Sequence, residues 1–188
     1  MKLFQGEQAK EFKVKDIHKQ EISLSQYEGK KLLLSFYRNV ACPFCNLRVH
    51  QLTKLAVQLR DQGLEMVFFF ETPTRHILRS TFHNDLSPIP IVGDPDKEIY
   101  KLYGVETSVM KSINSLFKKG FKSQLKEAKE LGLDKVEDGG KVSKIIPADF
   151  LIKEQQKVVQ AYYGAYINDH LPLDNILNYA KSGLVQSN

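Results

Sequence analysis

The stretch from Lys31 to Phe70 constrains the fold of this chain more than any other. Lys31 to Tyr37 (KLLLSFY) is apolar almost without interruption. That pattern suits a central strand buried on both faces, because a half-exposed strand would alternate with polar residues. Val49, Leu52, Leu55, Ala56 and Leu59 then recur at helical spacing, and Gly63 closes the helix. Leu64 to Phe70 (LEMVFFF) is a second buried strand.

The flanking segments extend this unit. Phe12 to Asp16 and Glu21 to Leu24 alternate over short lengths and predict a small N-terminal hairpin. Thr74 to Asn84 reads as helix, Ile89 to Val92 as a short strand after a Pro-rich turn, and Lys97 to Tyr103 as a short helix stopped by Gly104. No strand pattern follows until Asp149. Val109, Ile113, Leu116 and Phe117 share one helical face, and Phe121, Leu125 and Ala128 continue it after Gly120. A polar loop with Gly139-Gly140 comes next. Asp149 to Ile152 and Val158 to Tyr163 predict a hairpin, and Leu173 to Lys181 a last helix. An alternating βαβ half followed by a hairpin and a helix is an α/β architecture, a mixed central sheet flanked by helices. The 188 residues show no linker or repeat, so one domain over 1–188 is expected, with a helical insertion at about 106–144.

Composition narrows the function. The net charge is +5, from 27 Lys and Arg against 22 Asp and Glu, but the lysines are scattered over polar faces. A solvated basic surface is therefore expected, with no nucleic-acid partner. The longest unbroken apolar run, Met66 to Phe70, is far short of the roughly 20 residues that span a bilayer. Met1 to Lys13 holds no apolar secretory segment. The expectation is a cytoplasmic protein with no membrane partner. Its two cysteines are too few for a disulfide scaffold, and in a reducing compartment such a pair is catalytic or metal-binding more often than structural.

Those cysteines carry the chemistry. Cys42-Pro43-Phe44-Cys45 sits where the strand ending at Tyr37 hands over to the helix starting near Pro43. Free backbone N–H groups and the dipole at a helix N-terminus stabilise a thiolate. A two-residue spacer on a helical turn brings two sulfurs within disulfide reach. Pro43 fits the first turn, where its missing N–H costs nothing. Thiolate stabilisation makes a cysteine nucleophilic at neutral pH. A metal site is the competing reading, but two cysteines cannot complete a tetrahedral zinc site and no His or Cys cluster follows at zinc-finger spacing. His50 would point away along the helix. No metal and no cofactor are expected.

With these residues in place, the chain resembles the redoxin superfamily, in its alkyl-hydroperoxide-reductase/thiol-specific-antioxidant (peroxiredoxin-like) branch. The matching features are Asp16, Ser23-Leu24-Ser25, Tyr27, Gly29-Lys30 and the strand ending Phe36-Tyr37. Gly93-Asp94-Pro95-Asp96, Tyr103-Gly104-Val105 and Ala148-Asp149-Phe150-Leu151-Ile152 match further on. The resemblance implies a thioredoxin-like fold and thiol-dependent reduction of peroxides or disulfides. The site departs from the peroxiredoxin pattern Pro-x-x-x-Thr/Ser-x-x-Cys. Arg38 takes the Pro place, Cys42 the Thr place and Cys45 the peroxidatic Cys place. The family Arg before the next-to-last strand is replaced by Pro147. A Pro there resembles thioredoxins, in which a cis-Pro faces the C-x-x-C, so the Ile146–Pro147 bond is expected to be cis.

Two mechanisms follow. In the first, Cys42 attacks a partner disulfide and Cys45 resolves the mixed disulfide. In the second, a peroxide oxidises Cys45 to sulfenic acid and Cys42 condenses with it. Thiol–disulfide exchange is the main expectation, peroxidase antioxidant activity the alternative, and a non-enzymatic redox-sensing module the third reading. A thioredoxin or glutathione system would supply electrons. Arg38 is an electrostatic helper or a plain loop residue, and Arg48 reads as a solvated helix position. Asn168 or Asp169 is expected to cap the last helix. The insertion is either a cover over one sheet edge, which would bury Leu116 and Phe117, or a docking surface beside the redox pair.

Overall fold

A computed structural model describes residues 1–84, 89–136 and 142–185. Five strands form one sheet in the order β5-β4-β3-β6-β7, namely β3 (Lys31–Phe36), β4 (Leu64–Phe70), β5 (Ile91–Gly93), β6 (Ala148–Ile152) and β7 (Val158–Tyr163). β3, β4 and β5 run parallel, and β6 and β7 are antiparallel to their neighbours. β1 (Lys13–Lys15) and β2 (Glu21–Ser23) make the N-terminal hairpin as a separate small sheet. This is the mixed α/β arrangement that the element order implied, in the thioredoxin-like form that the family resemblance implied.

Period-two alternation decides which side each strand residue serves. Leu33 and Tyr37 of the β3 segment, with Met66, Phe68 and Phe70 of β4, pack under α1 (Pro43–Asp61) and α7 (Leu173–Ser182). Leu32, Leu34 and Phe36, with Val67 and Phe69, pack on the opposite face with Tyr100 and Tyr103, at and just beyond α4 (Glu98–Leu102). Both faces are covered, which is why these strands read as unbroken apolar runs. Phe36 and Phe69 stack at 4.8 Å between ring centres. The Tyr100 hydroxyl is shared between the carbonyls of Tyr37, at 2.6 Å, and Phe69, at 2.8 Å. That contact holds the end of β3 from below, directly before the cysteine loop.

Several expectations change. The single helix over Thr74 to Asn84 is two short pieces, α2 (Thr74–Ile77) and α3 (Thr81–Asn84). The chain turns at Leu78 to Ser80, where Arg79 and Ser80 donate to carbonyls only three residues back. The Gly139-Gly140 loop and Pro88 of the Pro-rich turn lie outside the described residues.

The insertion differs most. Its ends are joined by a bridge between Thr107 and Ile145, with Ser108 N donating to Lys144 O at 2.8 Å. α6 (Phe121–Glu130) lies against α1, burying Ala128 beside Leu47. α5 (Val109–Asn114) and the 3-10 turn Ser115–Phe117 do not bury their apolar face: Leu116 is 53% and Phe117 84% exposed. The cover reading therefore fails for this half of the insertion. Gly120, at φ +88°, breaks the helical phase, so the two faces that look continuous in sequence point in different directions.

Candidate active site

The redox pair is placed by the junction of β3 and α1. Cys42 is the N-cap of α1 with extended backbone, φ −76° and ψ 111°, and Pro43 occupies the first helical position. The loop that delivers it is held on three sides. Cys42 N donates to Asn39 O at 3.1 Å, and Val40 N to the Thr72 hydroxyl at 3.1 Å. The buried Asn46 amide donates to Val40 O at 2.8 Å and to Leu133 O, in the insertion, at 2.9 Å.

The two sulfurs are unequal. Both are free thiols; Cys42 keeps 5% of its surface and Cys45 none. Arg38 Nη1 lies 3.8 Å from Cys42 Sγ, and its Nη2 donates to Ser143 O at 2.7 Å. Burial alone would push the Cys42 thiol up. The hydrogen bond from Cys45, the Arg38 charge and the N–H groups of Cys45 and Phe44 outweigh it and hold its pKa down to about 6. Burial pushes the Cys45 thiol well up, and its hydrogen bond and charge contact with Cys42 add to that. At neutral pH the site therefore holds an anionic Cys42 beside a protonated Cys45. This is the polarity of an attacking thiolate and a resolving thiol.

Arg38 is thus no plain loop residue. It is nine-tenths buried, bridging the thiolate and the returning arm of the insertion. Arg48 overturns the solvated reading as well: it is buried and donates to the Leu171 carbonyl. The aliphatic neighbours in sequence hid this, because the stretch after α1's N-terminus is closed by residues far along the chain. Pro147 is buried one residue before Ala148, which pairs with Phe36, so it sits at the cysteine end of the sheet. Its carbonyl accepts from Gly164 N at 2.9 Å. A Cβ on Gly164 would meet Asp169 O at 2.5 Å and Pro147 O at 3.0 Å, so only glycine fits. Ile146 shares an apolar cluster with both cysteines. Phe44, between the cysteines, packs on Phe121 with ring centres 4.7 Å apart and planes tilted by 45°.

A buried polar group behind the pair escaped sequence reasoning. Asp149 and Ser35 are cross-strand partners on the α1 side of the sheet. Asp149 Oδ2 lies 3.1 Å from His170 Nδ1 and accepts from Leu171 N at 2.8 Å. Burial pushes this carboxyl up, but His170 and Arg48 outweigh it and hold it below its ordinary value. The signal was an aspartate inside the otherwise apolar run Ala148 to Ile152; its partner lies 21 residues on. Neither Asn168 nor Asp169 caps α7: Pro172 holds that position. Asp169 instead accepts from the Tyr162 hydroxyl and Ala165 N, and Asn168 donates to Gln124.

A cavity of about 400 Å³ runs beside the first turns of α1, lined by Phe44, Leu47, Arg48, Gln124, His170 and Leu173. Among the described residues no group of three His, Cys, Asp or Glu side chains could hold a metal ion, and no helix is long and apolar enough to cross a membrane.

Comparison with known proteins places the chain in a family. The AhpC/TSA family matches residues 5–161. The thiol-disulfide oxidoreductase ResA of Halalkalibacterium halodurans is 31% identical over 101 residues, which are 53% of this chain and 56% of that relative. A Mycobacterium tuberculosis protein whose name places it among the peroxiredoxins is 23% identical over 178 residues, 90% of this chain and 91% of its own. Among solved structures, PrxQ of Xylella fastidiosa superposes with a TM-score of 0.68 at 16% identity, covering 97% of this chain and 98% of PrxQ.

Proposed function

The chain belongs to the AhpC/TSA family, and from that premise we propose that it is a thiol–disulfide oxidoreductase in which Cys42 is the nucleophile and Cys45 the resolving thiol. The observation that carries this reading is the asymmetry of the pair: Cys42 at the helix N-cap with Arg38 Nη1 3.8 Å from its sulfur, and Cys45 fully buried one turn on.

The Cys42 thiolate attacks one sulfur of a partner disulfide. A Cys42–partner disulfide forms, and the second partner sulfur leaves as a thiolate that takes a proton. Cys45 then gives up its proton and attacks the Cys42 sulfur. The products are a Cys42–Cys45 disulfide and a partner dithiol, so two electrons pass from protein to partner. Arg38 keeps Cys42 anionic at the start and stabilises it as leaving group in the reverse direction. A thiol reductant, of the thioredoxin or glutathione kind, restores the dithiol.

A peroxidase reading has two observations in its favour: Cys45 keeps the peroxidatic distance from Phe36, and the relative matched over most of its length is named for that activity. Against it stand the full burial of Cys45, its raised pKa and the absence of the Thr/Ser hydroxyl.

Alkylation of the reduced protein at limiting reagent across pH, followed by peptide mapping, tests the assignment. Cys42 should be modified first, with a midpoint at about pH 6. Cys45→Ser should trap a mixed disulfide through Cys42. Rapid formation of sulfenic acid at Cys45 in Cys42→Ser would replace this reading with the peroxidase one.

A further inference from the structure

Among the described residues, the α5 half of the insertion leaves an apolar face with no element packed over it. Val109 is 52%, Met110 67%, Ile113 50%, Leu116 53% and Phe117 84% exposed. Single exposed apolar side chains need no explanation, but a contiguous group of this kind marks an interaction site. Charge within this segment is one-sided, with Glu106 and Glu127 just outside it. From 107 to 126 the chain carries Lys111, Lys118, Lys119, Lys122 and Lys126 and no Asp or Glu. Lys111 is paired with Glu106 and Lys126 with Glu130, and Lys118 lies over the Tyr166 ring at 4.3 Å. Lys119 and Lys122 are exposed. Leu116, Phe117, Lys119 and Lys122 line a concavity of about 610 Å³.

The head of this surface lies beside the active site: Ser108 N, at the N-cap of α5, donates to Lys144 O, and the preceding Ser143 O accepts from Arg38. Gly120 turns the chain from Phe117 to Phe121, and the Phe121 ring packs at a tilt against Phe44, the residue between Pro43 and Cys45. The arm that returns from the insertion supplies Ser143 O to Arg38. A polypeptide seated on the α5 side would lie beside Cys42.

We propose that the 109–122 surface docks the polypeptide partner of disulfide exchange, and that the segment it takes carries an apolar anchor flanked by carboxylates. The proposal rests on the thiol–disulfide reading and names the partner chemistry for that same site. Phe117 and Leu116 receive the anchor. Lys119 and Lys122 meet the carboxylates, which speeds encounter and rejects basic partners. Continuity with Phe44 favours a polypeptide over a lipid surface.

Three probes test it on the full chain. Two synthetic peptides carry the same internal disulfide and a Leu-Phe anchor, one flanked by Glu and the other by Lys; hydroxyethyl disulfide is the small neutral control. The Glu-flanked peptide should be reduced about tenfold faster than the Lys-flanked one at low salt, the advantage shrinking as salt is raised. Phe117→Ser, and separately Lys119→Glu with Lys122→Glu, should remove that advantage and leave hydroxyethyl disulfide unaffected. Equal rates for the two peptides would overturn the proposal, and so would variants that slow all three substrates alike. Fluorescence anisotropy of the reduced, alkylated Glu-flanked peptide reads docking without chemistry: weaker binding to Phe117→Ser supports the proposal even if wild type reduces none of the probes, an outcome that would sink the exchange reading alone. Binding to phosphatidylglycerol vesicles that depends on Phe117, with no discrimination between peptides, would assign the surface to a membrane and overturn it.

Discussion

At the scale of single residues, the site is an arrangement for making two identical side chains behave differently. A thiol ordinarily titrates near 8.5, and Cys42 is held at about 6. Since burial opposes that shift, the stabilisation comes from charge and hydrogen bonds, and Arg38 is the one full charge among them. Arg38→Ala should therefore move the alkylation midpoint of Cys42 upward and slow exchange at pH 6–7 by roughly three- to tenfold, with little change above pH 9. Arg38→Lys should recover part of the lost rate, because it restores the charge. A purely structural role would lower the rate equally at every pH and show no recovery with Lys.

At the scale of elements, the insertion divides at Gly120 into halves with different duties. The α6 half packs on α1. The α5 half touches the body of the domain mainly through Ser115, which is fully buried: its hydroxyl accepts from Ile167 N at 3.0 Å and donates to Lys111 O at 2.7 Å. Phe117→Ala should change unfolding free energy by no more than about 0.5 kcal/mol, as for a surface site. Ser115→Ala should cost about 1–3 kcal/mol, because it leaves the buried Ile167 N–H without a partner. Urea denaturation of the two variants measures the contrast. A large loss in Phe117→Ala would restore the cover reading that its exposure argues against.

Two buried groups shape the acid limb of the whole molecule's stability. His83 is fully buried beside Ser80, and burial pushes its pKa down to about 4. Between about pH 6.5 and 4 the unfolded chain takes up a proton that native His83 refuses, so stability falls with pH at up to about 1.4 kcal/mol per unit. Asp149 acts lower. Its native pKa is depressed, so its contribution is fully present above the ordinary carboxylate value of about 3.9 and is lost as pH falls further. Urea midpoints measured across pH should decline in these two stages, and His83→Gln should flatten the slope between pH 6.5 and 4 while leaving the lower stage. A single transition confined below pH 4 in the wild type would refute the His83 assignment.

The sequence by itself determined the strands, the main helices and the place of the proposed chemistry. Unbroken apolar runs admit few positions other than the middle of a covered sheet, and Cys42-Pro43-Phe44-Cys45 at a strand-to-helix junction carries its reactivity in local backbone geometry. The tertiary structure alone decided which charged residues belong to the site. Arg38 meets Ser143, Arg48 meets Leu171, and Asp149 meets His170, across separations of 105, 123 and 21 residues. No local pattern encodes such a contact, because a charge becomes buried and directed only when distant segments close over it. The apolar face of Val109 to Phe117 shows the same limit from the other side. Helical spacing shows that a face is apolar, whereas the packing of α6 on α1 settles that this one is left to solvent.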